Sequence, residues 1–254
     1  MRILYLYPGK ESDKEKIPDY FAALKKSIEE VTRPDTEVEI KGLSEKVMEE
    51  LEMIYWYSHP QVVVDMMVEA KKAEKEGFDA VVIGCVGAVE AEICLKEVLD
   101  IPVAGVSESC FLLVQMLGPN FSMLTYNDKV AAWLRRTLRD YDLESKCVSI
   151  RPAGVELEEL LSREAEHKVK EKMLAEARKA VNKDKAEVIL VASAGFVGLA
   201  DYIRQGVEAP VVDPVEAGIK FAEMLVDLKK TKNLYHSKVA TYRGSPNTDK
   251  ELFP

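Results

Sequence analysis

The sequence predicts an α/β protein built from two pseudo-symmetric, doubly wound, four-stranded parallel sheets with a cleft between them. Two observations carry this. Apolar runs of strand length alternate with longer segments of helical periodicity along the chain, the pattern of parallel sheets covered on both faces. The second observation is an internal repeat: sliding the chain by 108 positions lays DAVVIGCVGAVEAEICLKEVLDIPVAGVSES on EVILVASAGFVGLADYIRQGVEAPVVDPVEA without a gap. Gly87 falls on Gly195, Val89 on Val197, Pro102 on Pro210, Val103 on Val211 and Glu108 on Glu216. Conservative pairs include Asp79 with Glu187 and Lys96 with Arg204, and further on Met116 falls on Met224.

In order along the chain, the strand-length runs are Ile3 to Tyr7, Glu37 to Ile40, Ala80 to Ile83, Val103 to Val106, Ser122 to Thr125, Cys147 to Ile150, Val188 to Val191 and Val211 to Asp213. Segments with i, i+3, i+4 apolar spacing, such as Ile17 to Val31, Pro60 to Gly77, Lys129 to Tyr141 and Glu164 to Val181, read as the helices between them. One copy thus spans Met1 to about Gly118 and the other Asn120 to about Lys229, followed by a tail from Thr231 to Pro254. Asp213-Pro214 reads as an N-cap followed by a first-turn proline.

Composition narrows the function classes. A chain of 254 residues with 47% hydrophobic and 31% charged residues can bury a substantial core. Its net charge of −9 disfavours nucleic acid and anionic membrane as main partners, since both attract basic faces. No apolar run reaches transmembrane length, and the opening MRILYLY reads as a buried strand, so a cytoplasmic chain is expected. Cys85, Cys94, Cys110 and Cys147 form no CxxC, and with His59, His167 and His236 they show no metal-ligand spacing. The expectation is free thiols and no metal.

The chemistry centres on Cys85 and Ser193, which occupy equivalent positions 108 residues apart. Each follows a strand and precedes X-Gly and a helix. Unpaired N–H groups and the helix dipole there favour a thiolate, so a depressed Cys85 pKa is expected. The same N–H groups of Val86, Gly87, Ala194 and Gly195 can hold a carboxylate or a developing enolate oxygen. A small residue ending a strand would explain Cys85 as well, but two small polar residues at symmetric places fit packing poorly. Cys94, Cys110 and Cys147 fall in apolar stretches or at a strand start and read as structural. Tyr55, Trp56 and Tyr57 before the His59-Pro60 helix start are open to two readings, a wall of the cleft or core packing.

The segments GCVG, IPVAGVSES, LGPNFSMLTYND, VASAGF and APVVDPVEAG resemble the aspartate/glutamate/hydantoin racemase superfamily over nearly the whole chain, with the hydantoin and allantoin racemase branch nearest. The resemblance implies a cofactor-independent racemase or isomerase of a small carbon acid, hydantoin-like or amino-acid-like, in which two cysteines on opposite sides of the cleft move a proton. The first carries over to Cys85, while Ser193 occupies the place of the second. A serine hydroxyl is a poor acid or base near neutrality. Alternatives therefore stay open: a one-thiol decarboxylase, a cis-trans isomerase of a dicarboxylate, or a non-catalytic small-molecule binder. The resemblance also implies substrate contacts at Pro8 and Gly9 after the first strand and at Thr125 and Tyr126 after the fifth, an anionic small-molecule substrate, and a homo-oligomer. It further implies that the helix near Pro214 returns to the first unit, giving domains of residues 1–107 plus 215–254 and 108–214.

Overall fold

The computed structural model describes residues 1–47, 54–156, 159 and 165–246. All eight expected strands form, in two parallel sheets. The first contains β1 (Arg2–Lys10), β2 (Glu37–Leu43), β3 (Ala80–Ile83) and β4 (Val103–Gly105), in the order β2-β1-β3-β4. The second contains β5 (Phe121–Thr125), β6 (Cys147–Pro152), β7 (Val188–Val191) and β8 (Val211–Val212), in the matching order β6-β5-β7-β8. The helices are α1 (Asp13–Lys16), α2 (Pro18–Val31), α3 (His59–Lys75), α4 (Val89–Val98), α5 (Val106–Leu117), α6 (Asp128–Asp140), α7 (Glu166–Asn182), α8 (Leu199–Arg204) and α9 (Pro214–Lys232), with a 3₁₀ turn at Trp56–Ser58. The expected helix start at Glu164 lies outside the described residues, as do the last eight residues of the tail.

Strand boundaries moved where side chains redirect the backbone. β8 stops at Val212 because Asp213 turns to cap α9, its Oδ1 accepting from the N–H of Val215 at 2.8 Å and of Glu216 at 3.2 Å. β4 stops at Gly105 because Val106 already begins α5. α6 begins one residue early, after Asn127, whose Oδ1 accepts from the Val130 N–H at 3.2 Å.

Strand alternation divides the apolar side chains of β1 between two cores. Ile3, Tyr5 and Tyr7 face the larger core, which continues through Phe111, Phe121, Leu134 and Ile219. Leu4 and Leu6 face a second core with Met66, Ile83 and Leu95 under α3 and α4. Burial on both faces is why these strands read as continuous apolar runs. The last helix of each copy packs on the other sheet: α5 lies against β7 and β8, and α9 against β3, β4 and α2. Beyond α9 the tail folds back over the β4 edge, where the Val103 N–H donates to His236 Nε2 at 2.7 Å.

The aligned ion pairs also recur. Lys96 Nζ meets Glu108 Oε2 at 2.5 Å, and Arg204 Nη2 meets Glu216 Oε2 at 2.6 Å. Each pair links the helix after a third strand to the helix after a fourth. The repeat is less regular near its start. Val191 lies 108 residues after Ile83, but Leu124 lies 118 residues after Leu6, although Leu6 pairs with Ile83 as Leu124 pairs with Val191. The second copy is therefore ten residues shorter between its first and third strands.

Candidate active site

Parallel strands with the order 2-1-3-4 place their carboxyl ends, and any ligand, on one side of each sheet. Here those ends meet at a cavity of about 100 Å³ lined by both halves. Cys85 and Ser193, each two residues beyond its strand, both line it. So do Pro8, Val86, Gly87, Tyr126, Ala194 and Gly195. Two residues expected at the site do not. Gly9 is packed against the Tyr7 ring and Asp13, and Thr125 is fully buried at the end of β5 with its Oγ1 lacking a hydrogen-bond partner.

The Cys85 loop is held firmly. Ser107 Oγ, buried at the start of α5, donates to the Val86 carbonyl at 2.5 Å. Gly87 lies under Trp133 of α6, and a Cβ on Gly87 would overlap the indole ring. The thiol itself contradicts the expectation of a depressed pKa. Backbone N–H groups of Gly87 and Ala88 do favour the thiolate, but burial outweighs them, with Glu92 and Glu90 adding to the rise, and the thiol is pushed up to about 11. α4 begins only at Val89, which weakens the dipole at Cys85. Iodoacetamide labelling of Cys85 should consequently rise about tenfold per pH unit from pH 8 to pH 10. Mass-spectrometric mapping that finds a plateau below pH 8 would contradict this.

Ser193 also departs from the expected helix start. Seven residues separate β7 from α8, which begins only after Gly198 in the left-handed conformation at φ 76°. Instead, Ser193 Oγ accepts from the Gly195 N–H at 2.9 Å and is hydrogen-bonded to the Tyr126 hydroxyl. Phe196 packs on the Tyr126 ring, with centroids 4.7 Å apart, and fixes it.

Sequence reading missed much of the wall: Tyr7, Tyr20, Ile54, Val130, Trp133 and Leu134 also line the cavity. Val130, Trp133 and Leu134 follow helical spacing on α6, which looks the same for a core face and for a cavity wall. Tyr20 bridges the halves, its hydroxyl donating to the Ala194 carbonyl at 3.3 Å. Beyond Tyr20 and Gly195 a second cavity of about 260 Å³ opens, with Lys16 and Lys170 on its wall. None of Tyr55, Trp56 and Tyr57 lines the cavity; Trp56 packs on its wall residue Trp133 with centroids 4.7 Å apart, and Tyr55 and Tyr57 are exposed.

Among the described residues lining the Cys85 cavity there is no Lys, Arg, His, Asp or Glu. The expected anionic substrate thus meets no side-chain cation there. Among the described residues no group of three His, Cys, Asp or Glu side chains is placed to hold a metal ion, and no helix is long and apolar enough to cross a membrane.

Two four-stranded parallel α/β units that bring equivalent loops to one cleft define a racemase-type fold, and the comparisons agree with it. The sequence profile described as Asp/Glu/Hydantoin racemase matches residues 19–222, and the chain belongs to that family. It is 36% identical to a hydantoin racemase of Pseudomonas sp. (strain NS671) over 192 residues, 74% of this chain and 73% of that protein. A hydantoin racemase of Paenarthrobacter aurescens is 32% identical over 64% of this chain and 68% of its own. The crystal structure of an allantoin racemase from Pseudomonas fluorescens superposes with a TM-score of 0.81, at 26% identity, over the full length of both chains.

Proposed function

We propose that this protein is a cofactor-independent racemase of a neutral cyclic carbon acid, a 5-substituted hydantoin or a close relative, with Cys85 and Ser193 acting on opposite faces of its α-carbon. The observation that carries this is the meeting of two repeat-equivalent residues in one uncharged, aromatic-walled cavity. A hydantoin ring is neutral when it binds, and its α-carbanion delocalises onto the adjacent carbonyl. The Gly87 and Ala88 N–H groups favour the Cys85 thiolate, which supports Cys85 as the base that takes the α-proton. A thiol at about 11 is a strong base once ionised, which suits a weak carbon acid. An uncharged wall supports a neutral ring over a dicarboxylate or a free amino acid, since burying a carboxylate without a cation is costly.

The reciprocal packing of α5 and α9 supports reading the units as residues 1–107 plus 215–254 and 108–214. A homo-oligomer in the cytoplasm belongs to the same proposal. Exposed Leu112, Met116 and Met224 on the mutually packed α5 and α9 offer an apolar face in its support.

The test is a panel of hydantoins, allantoin, aspartate, glutamate, maleate and arylmalonates in D₂O, followed by NMR. The expected result is α-deuterium incorporation and inversion for hydantoins, with no carbon dioxide release from arylmalonates and no fumarate from maleate. Turnover of maleate or an arylmalonate, with hydantoins inert, would overturn the proposal.

A further inference from the structure

Building on that reading, we propose that Tyr126 is the proton source behind Ser193, so that the second acid-base of this site is a Ser193–Tyr126 relay in place of a single thiol. Three observations converge on it.

The first is hydrogen-bond bookkeeping at Ser193 Oγ. The Gly195 N–H, at 2.9 Å, can only donate, so it occupies one acceptor position of this oxygen. The Tyr126 hydroxyl is bonded to the same oxygen. When Tyr126 donates, both acceptor positions are filled and the Ser193 hydrogen is directed elsewhere. Ser193 is otherwise buried, and the space it borders is the Cys85 cavity.

The second is the asymmetry between the copies. By strand register, Tyr126 follows Leu124 as Pro8 follows Leu6. The half that carries the thiol therefore has a proline, without a hydroxyl, at the place where the half that carries the serine has a tyrosine. At that one place the weaker acid has a hydroxyl beside it and the stronger acid's half has none.

The third is chemical. An alkanol is too weak an acid to give up a proton alone, whereas phenols titrate near 10 in water. Passing the charge to Tyr126 replaces the alkanol with a phenol, a far stronger acid, as the partner of the thiol. Gly195 N–H stabilises the serine oxygen while it is transiently anionic.

The step balances as follows. Cys85 thiolate takes the α-proton, and the electron pair passes into the enolate of the ring. The Ser193 hydroxyl gives its proton to the α-carbon from the opposite face while Ser193 Oγ takes the Tyr126 proton. The products are the inverted substrate, Cys85 thiol and Tyr126 phenolate. That form of the enzyme handles the other enantiomer by the same steps in reverse, so no further reactant is needed. Tyr126 acts through Ser193 and is a positioning and relay residue.

The experiment follows each enantiomer of 5-benzylhydantoin in D₂O, reading α-deuterium incorporation by NMR and inversion by chiral chromatography. Tyr126→Phe should lower inversion at least about a hundredfold, while deuterium incorporation with retention continues for the enantiomer whose α-hydrogen faces Cys85. Adding Ser193→Cys to Tyr126→Phe should restore inversion, because a thiol supplies its own proton, and should move the alkaline limb of the pH profile to a thiol's range. A purely structural role for Tyr126 would not be rescued by a change at Ser193. Inversion unchanged in Tyr126→Phe, or lost and not restored by Ser193→Cys in a variant with wild-type circular dichroism, would overturn the relay alone. No exchange by the wild type would overturn the racemase reading and the relay with it.

Discussion

Cys85→Ala is expected to remove both α-deuterium exchange and inversion, with a loss of about a hundredfold to ten-thousandfold, the usual contribution of one positioned proton carrier. Stability should hardly change. The side chain is half-buried near the start of a loop that Ser107 and Trp133 hold, and those contacts remain when the sulfur, with its Gly87 and Ala88 N–H partners, is lost. The wild-type rate should climb with pH up to about pH 10, because burial holds the thiol near 11 and only the thiolate abstracts a proton. NMR in D₂O over pH 7–10, corrected for exchange in buffer alone, measures both effects. A variant that keeps more than about a tenth of the wild-type exchange would assign the base elsewhere. A rate flat from pH 7 upward would mean that another group, or the substrate itself, sets the ionisation.

The fold was legible because its strands are buried on both faces. Ile3 to Tyr7 and Val188 to Val191 are apolar at nearly every position, which only a covered sheet requires. Cys85 and Ser193 were legible as a pair because the 108-residue repeat equates them, and parallel sheets of this order bring such loops to one edge. What escaped the sequence depended on competition or on irregularity. Of the N–H groups expected beside Cys85, that of Gly87 acts on the thiol, joined by Ala88 and not Val86; the sequence holds no measure of burial, and burial wins. Tyr126 could be placed near the cleft by resemblance. Its bond to Ser193 and its equivalence to Pro8 emerge only from strand register, since the two copies differ by ten residues ahead of their third strands. Thr125 sits one residue too early: strand alternation turns it inward and presents Tyr126 to the cavity.

A second large effect is expected where the copies exchange a buried carboxyl. In the second copy, Asp213 caps α9 and accepts from the N–H of Glu216. The equivalent residue in the first copy is Gly105, which has no side chain to cap α5. The Glu92 carboxyl fills that space: the backbone N–H of Glu108, the counterpart of Glu216, favours its charged form, and a Cβ on Gly105 would overlap it. The counterpart of Glu92 is Ala200, so Glu92 with Gly105 and Ala200 with Asp213 are two ways of placing one carboxyl under an ion-paired helix start.

Gly105→Asp alone should destabilise by about 3 kcal/mol or more, through overlap and a second buried acid. Glu92→Ala alone should cost about 2–4 kcal/mol, leaving a void and the Tyr141 hydroxyl, now 2.9 Å from Glu92, without its acceptor. The double variant should recover most of the loss, remaining about 1–2 kcal/mol below wild type because Tyr141 stays unpaired. pH adds an independent signature. Burial, reinforced by Glu108, raises Glu92 from its ordinary 4.5 to about 8, so the fold favours its protonated form. The stability it contributes is full below about pH 4.5 and is lost as pH rises through about 8, at no more than about 1.4 kcal/mol per pH unit. Asp213, raised from 3.8 to about 6 by burial and then by Glu216, completes its loss earlier. An aspartate at position 105 should behave alike, so between pH 6 and pH 8 wild-type stability should fall while that of the double variant stays nearly level. Urea unfolding of the four proteins at pH 6 and pH 8 measures both signatures. Simple additivity of the single changes, together with parallel pH slopes, would show that the two carboxyls do not occupy equivalent places.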